Sequence, residues 1–156
     1  MKKIIPISLI LLIVDQIVKL IVISNIKINT SIEIITNFFS LTYVKNDGAA
    51  FSIFRGNTLL LIIISVLALF FLFKFLKKKN NFQKIEILAY VLLIPGIIGN
   101  LIDRIFRNGV IDYLDFNIFG YNFPIFNIAD IFIVIACLIL VFLFGGEQID
   151  GNKSNR

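Results

Sequence analysis

Two segments place acids where acids are costly. Val110-Ile111-Asp112-Tyr113-Leu114-Asp115 sets a carboxylate inside an apolar run, and Phe126-Asn127-Ile128-Ala129-Asp130 sets another at the mouth of a long apolar stretch. Carboxylates at the ends of two neighbouring spans can converge at one depth. Two held close together cannot both ionise cheaply, so one keeps its proton near neutral pH. The pair then supplies a general base and a general acid from one residue type. The same spacing also suits simple helix capping by Asp112 and Asp130. A further polar group closes the preceding apolar stretch, Gly99-Asn100-Leu101-Ile102-Asp103-Arg104. Asn100 lies three residues before Asp103 and four before Arg104, so one helix face can present all three. Asp15 and Lys19, four apart, share a face of an earlier apolar stretch and can pair. An ionisable group at the centre of a span costs at least about 2.5–3.5 kcal/mol, which either pairing inside a bundle or a direct role must offset.

The rest of the composition narrows the chemistry. No histidine is present, and Cys137 is the single cysteine. An intramolecular disulfide, a thiol relay, His-dependent nucleophiles and His- or Cys-rich metal sites are therefore excluded. Asp, Glu, Lys, Arg, Asn, Ser, Thr and backbone must do whatever is done. The net charge of +5 is a poor pointer to nucleic acid here, because in a membrane chain the positions of the basic residues matter more than their sum.

The elements that would position these residues are membrane helices. Of 156 residues, 58% are hydrophobic and 16% charged, with a mean hydropathy of +0.95. A soluble domain is about 45–50% apolar and about 25% charged, and a disordered chain is less apolar still. Apolar stretches at residues 4–23, 58–76, 85–102 and 126–144 predict four spans, each close to the roughly 20 residues a crossing needs. Lys2 and Lys3 resemble the start of a signal peptide, but no small-residue cleavage site follows and Asp15, Gln16 and Lys19 lie inside the stretch, which reads as a retained helix. One side would carry nine basic residues: Lys2, Lys3, Lys74, Lys77, Lys78, Lys79, Lys84, Lys153 and Arg156. The other carries five: Lys27, Lys45, Arg55, Arg104 and Arg107. The positive-inside rule then puts both termini in the cytoplasm and the two long connections, about 24–57 and 103–125, on the opposite face. In the first connection, Glu33–Thr36 and Phe38–Val44 are rich in β-branched and aromatic residues and are followed by the turn Asn46-Asp47-Gly48, which predicts short strands in a small sheet on the membrane surface. The fold expected is an all-α membrane protein, a four-helix bundle with a small β-sheet platform, forming one domain over residues 1–156.

Five segments together resemble the lipoprotein signal peptidases (signal peptidase II): Asp15-Gln16-Ile17-Val18-Lys19, Asn46-Asp47-Gly48-Ala49-Ala50-Phe51-Ser52, Gly99-Asn100-Leu101-Ile102-Asp103-Arg104, Val110-Ile111-Asp112-Tyr113 and Phe126-Asn127-Ile128-Ala129-Asp130. They occur in the family's order and reach from the first span to the fourth. The resemblance implies a bacterial inner-membrane aspartyl endopeptidase that removes the signal peptide from diacylglyceryl-modified prolipoproteins, cutting before the lipidated cysteine. It places the catalytic pair on Asp112 and Asp130. Supporting positions match Asn46, Gly48, Asn100, Arg104, Asn127 and Ala129, with Asp15, Lys19 and Asp103 as structural polar residues. Asp115 matches no catalytic position. Ile131, where a small hydroxyl residue often follows the second aspartate, and Tyr113, in place of a common Phe, depart from the pattern without removing an acid or an amide. The implied reaction uses water activated by the pair, with no metal and no cofactor. The implied partners are prolipoprotein substrates and membrane lipid; nucleic acid is not among them, and the chain is expected to act as a monomer. Asn100 and Asn127 are expected to hold the aspartates or the substrate backbone, and Arg104 and Asn46 the lipid's polar part or substrate carbonyls. Asp103 is expected to pair with Arg104 or Arg107, and the segment from Gly48 to Phe51 to act as a cover.

Two other readings of the same residues compete. Asp112-Tyr113-Leu114-Asp115 also reads as a DxxD motif holding Mg²⁺ in a lipid phosphotransferase, although its acids are sparse. Asp15, Lys19 and Asp130 also suit the ion path of a small transporter, which would leave the long outer connections without a purpose.

Overall fold

The computed structural model describes residues 4–48 and 54–153, with backbone alone for 145–153. Four helices, α1 (Ile4–Asn25), α2 (Thr58–Lys78), α3 (Lys84–Arg107) and α4 (Ile128–Lys153), accompany four strands, β1 (Ser31–Ile35), β2 (Phe39–Asn46), β3 (Val110–Ile118) and β4 (Tyr121–Asn122). The strands form one antiparallel sheet in the order β1-β2-β3-β4. The chain is therefore a mixed α/β membrane protein, not the all-α one expected. The expected strands are β1 and β2, with shifted ends. The second connection contributes β3 and β4 as well, and β3 carries Asp112. Its signal was the polar alternation Leu114-Asp115-Phe116-Asn117-Ile118 before Phe119-Gly120, which lie at φ +52° and +85° in the hairpin turn.

Three helices, α1, α2 and α3, are long and apolar enough to cross a membrane, and α4 has a shorter apolar portion, Ile128–Phe144. Their outward faces expose rows of large apolar side chains, among them Ile10, Ile17 and Ile21 on α1 and Leu59, Phe70 and Phe71 on α2. In water such rows would be unstable; against lipid they are the expected surface.

The helix α3 is the hub, packing against α1, α2 and α4. Pro95 lies within it and has no N–H to give the Val91 carbonyl. The hydroxyl of Ser8 on α1 donates to that carbonyl at 3.1 Å, so the helix continues without leaving a polar atom unpaired in lipid. Gly96 and Gly99 bring neighbours close. A Cβ on Gly96 would stand 2.7 Å from the Ala129 carbonyl oxygen, and one on Gly99 2.5 Å from Asp15 Oδ2.

The two ends of the bundle are built differently. At the end where α2 connects to α3, Ile4, Leu76, Tyr90, Val91 and Ile94 form an apolar cluster. There Lys79 pairs with Glu86 and stands 5.7–5.9 Å from the ring centres of Phe75, Phe82 and Phe144. Glu86 also completes a capping box with Gln83 at the start of α3. At the other end, Ile111 and Tyr113 of β3 pack with Val22 and Ile26, seating the sheet on the end of α1.

Pairing between β2 and β3 contains one irregularity. Leu41 faces Leu114 and Val44 faces Asp112, so Thr42 and Tyr43 together oppose Tyr113 as a β-bulge.

Candidate active site

Where α4 begins, Asn127 and Asp130 form a reciprocal cap. The Asp130 N–H donates to Asn127 Oδ1 at 3.1 Å, and the Asn127 N–H donates to Asp130 Oδ2 at 3.1 Å. Two otherwise orphaned amides of the first turn are thereby satisfied. Capping is thus part of what Asp130 does, but Asp112 lies on a strand and caps no helix.

The side-chain amide of Asn127 is left pointing at the sheet. Its Nδ2 donates to Asp112 Oδ1 at 2.7 Å and to Asn100 Oδ1 at 3.2 Å. From β2, Asn46 Nδ2 donates to Asp112 Oδ2 at 2.9 Å. From α3, Asn100 Nδ2 donates to Asp130 Oδ1 at 2.8 Å. Each carboxylate is therefore held on both oxygens, and Asn127 touches both acids. Asn127 is fully buried and Asp112 nearly so.

Burial, first, and the Asp130 charge, second, push the Asp112 carboxyl up to about 7, against the opposing pull of Asn46, Asn127 and Lys19. Burial also raises the phenol of Tyr113, whose oxygen accepts a 3.4 Å hydrogen bond from the Ile128 N–H.

Beneath the acids lies a buried ionic group. Lys19 Nζ stands 3.0 Å from Asp15 Oδ2 and 2.8 Å from Asp103 Oδ2, all three side chains fully buried. It also donates to Asn100 Oδ1 at 3.1 Å. Asp103 pairs in addition with Arg107, the second of the two partners expected for it, and accepts the Ile111 N–H at 3.2 Å. Two cations and two carboxylates balance here, which is the condition for keeping charges out of water. Lys19 thereby locks the orientation of Asn100: its Oδ1 accepts, so its Nδ2 faces Asp130.

Arg104 lies at the rim, donating to the Gly48 carbonyl at 3.2 Å and to the Asn100 carbonyl at 3.4 Å. The Gly48 N–H in turn donates to Asn46 Oδ1 at 2.9 Å, which fixes the Asn46 amide with its Nδ2 toward Asp112. Ala129, fully buried, lies where α3 and α4 come closest, at Gly96 and Gly99. All eleven residues singled out in the sequence thus lie in or directly around one cluster. Asp115 does not: it accepts from Thr42 at 2.6 Å on the sheet, and the strand's alternation turns it away from Asp112. That removes the shared direction a DxxD metal site needs. The cover expected from Gly48 to Phe51 lies, beyond Gly48, outside the described residues.

Gln16 received no role from its sequence position. It donates to Asp15 Oδ2 at 3.1 Å and the Gly99 carbonyl at 3.3 Å, and accepts from Arg107 at 3.0 Å. An amide next to an acid inside a span was its only signal.

Comparison with known proteins adds a lineage to this geometry. A family model described as signal peptidase (SPase) II matches residues 7–144. Lipoprotein signal peptidases of Staphylococcus aureus strains JH9 and Newman are 39% identical over 135 residues, covering 86% of this chain and 83% of theirs. A bacterial membrane enzyme solved by the in meso method at 2.3 Å superposes with a TM-score of 0.85 at 36% identity, over 92% of this chain and 88% of its own. A second, solved at 1.9 Å, gives 0.79 at 37% identity, over 90% of each.

Proposed function

The chain belongs to the lipoprotein signal peptidase family, the signal peptidase II group of aspartic membrane peptidases, and from that premise we propose that Asp112 and Asp130 are its catalytic pair. The observation that carries this reading is the Asn127 amide, which bonds Asp112 through Nδ2 and Asp130 through its backbone N–H. Burial and the neighbouring Asp130 charge, not the Asn127 bonds, favour keeping one proton on the pair near neutral pH, and they push the Asp112 carboxyl up to about 7. The ionised carboxylate takes a proton from water as the water oxygen attacks the scissile carbonyl. The protonated partner donates to the carbonyl oxygen as it gains charge. The tetrahedral species collapses as the carboxyl that took the water's proton passes it to the leaving nitrogen, and a hydroxyl of that species returns a proton to the other carboxylate, which restores the pair. Asn46, Asn100 and Asn127 orient the carboxylates throughout. Arg104, at the rim, receives the polar part of the substrate's lipid or a substrate carbonyl.

The substrates are diacylglyceryl-modified prolipoproteins, cut before the lipidated cysteine. All four helices cross the membrane, with both termini cytoplasmic and the sheet and acids at the extracytoplasmic face. Supporting this are the basic residues of the α2–α3 connection, Lys77, Lys78, Lys79 and Lys84, at the end of the bundle away from the sheet. Residues 1–156 act as one integral membrane domain.

The test is cleavage of a purified diacylglyceryl-prolipoprotein in detergent with EDTA present. Wild type is expected to cut before the lipidated cysteine, and folded Asp112→Asn and Asp130→Asn to lose at least about 10³-fold in rate. Inactivity restored by Mg²⁺, or undiminished cutting by either variant, would overturn the assignment.

A further inference from the structure

We propose that Thr42 is a positioning residue for the reaction: with Asp115 and Ser31 it pins the β2 bulge that turns Asn46 onto the face of the sheet bearing Asp112. The proposal rests on Asp112 being catalytic, as inferred above.

The alternation of strands makes the case. Side chains paired across an antiparallel ladder lie on the same face, and successive residues alternate. Before the bulge, Ser40 pairs with Asp115 and Leu41 with Leu114. Ser40 and Thr42 therefore share the face of Asp115, and Leu41 shares the face of Leu114 and Asp112. An unbroken ladder would keep Val44 and Asn46 on the face of Thr42, away from Asp112. After the bulge, Val44 pairs with Asp112 and Asn46 with Val110, so both have changed face. A slip of one residue in register reverses every side chain beyond it, and here the slip delivers Asn46 to its 2.9 Å bond with Asp112.

A bulge needs fastening, because its extra residue lacks a regular partner. Thr42 supplies this. Its hydroxyl donates to Asp115 Oδ2 at 2.6 Å, and the Ser31 hydroxyl lies 2.7 Å away. A hydroxyl has one proton, and it goes to the carboxylate, so Ser31 is the donor to Thr42. The chain Ser31–Thr42–Asp115 crosses β1, β2 and β3, and Thr42 is 6% exposed. On the other side, Tyr43 exchanges backbone bonds with Asn29 and Thr30, just before β1, so its N–H and carbonyl stay paired at the bulge. Asp115, left over by the active-site reading, has its use here.

The experiment compares Thr42→Val, Thr42→Ser, Asn46→Leu and the double variant Thr42→Val/Asn46→Leu, each checked for an unchanged melting temperature within a few degrees. Turnover of diacylglyceryl-prolipoprotein is followed against pH. Asp130, Lys19 and Arg104 also act on the Asp112 carboxylate and are left intact in all four. Thr42→Val is expected to lower kcat about 10-fold with KM within twofold, as a small misplacement does. It should also move the alkaline limb upward, as Asn46→Leu does, because both withdraw a donor from the ionised acid. Thr42→Ser keeps the hydroxyl and the wild-type profile. The double variant falls within twofold of Asn46→Leu. A wild-type rate in Thr42→Val, a rate loss with an unmoved limb, or multiplied losses in the double variant would overturn the proposal. Should Thr42→Val fail to fold, Asp115→Ala, which removes the acceptor of the Thr42 hydroxyl, carries the same comparison. Asp112→Asn, run alongside, separates the two failures, since full activity there sinks the catalytic reading itself.

Discussion

The helices α2 and α3 are neighbours in sequence and similar in length, at 21 and 24 residues, yet they occupy opposite positions in the molecule. In α2 the span window is 11% buried, and Leu61 and Leu76 are its buried residues. In α3 half the window is buried, and its inward face carries Tyr90, Gly96, Gly99, Asn100 and Asp103. A helix that is apolar all round tells the bilayer nothing about rotation or neighbours. A helix with two glycines, a proline and two polar residues is fixed in both, because each needs a particular partner. Helix–helix specificity in this protein resides in the residues that lipid tolerates least.

The strongest way to break that contrast is to remove Lys19, which α3 holds through Asn100 and Asp103. Lys19→Met leaves Asp15 and Asp103 facing each other in a dry interior and is expected to cost about 3–5 kcal/mol. Lys74→Met, on the exposed face of α2, should cost less than about 0.5 kcal/mol. Equilibrium unfolding in mixed micelles measures both, and equal losses would erase the distinction. Next in size comes Gly96→Ala. Its added methyl meets the Ala129 carbonyl oxygen and Ile133 Cγ1 at 2.7 Å, and about 1–3 kcal/mol of destabilisation is expected by the same assay.

A third prediction concerns pH. The Asp112 carboxyl holds its proton up to about 7 in the fold, whereas an unfolded aspartate releases it near 3.9. Between those values the folded state binds more protons, so this group's contribution to stability falls as pH rises from about 4 to 7 and is level above. The melting temperature of wild type should therefore drop by several degrees relative to Asp112→Asn between pH 5 and pH 8. A constant difference would mean that Asp112 is already ionised at pH 5. Smallest of all, Leu67→Ala on the lipid face of α2 should leave cleavage unchanged and stability within about 0.5 kcal/mol.

How much of this was legible in the sequence follows from the range of each interaction. Hydropathy marked the apolar stretches directly, and the Asp15–Lys19 pair is local, set by one turn of helix. Asn127 and Asp130 are likewise local, three residues apart at a helix start. The strand β3 was hidden because Val110–Tyr113 is apolar on both sides of Asp112, as befits a segment buried against α1, and carries no clear alternation. With β3 unread, an all-α fold was expected, and the partner of Asn46 stayed out of reach. The bulge at Thr42 is less legible still, since register emerges only when two strands are laid side by side. For the same reason Asp115 looked idle, its use depending on residues 73 positions away.

The reciprocal cap at Asn127 ties two events together. The hydrogen bonds that start α4 are made by the same residues that hold the acids, so the first turn of this helix cannot fray while the site stays assembled. Unwinding of that turn withdraws the Asn127 bonds from both acids at once. The backbone amide protons of Asn127 and Asp130 are both locked in that turn. Their exchange with deuterated solvent is then a clock for how often the pair of acids comes apart, readable without any substrate.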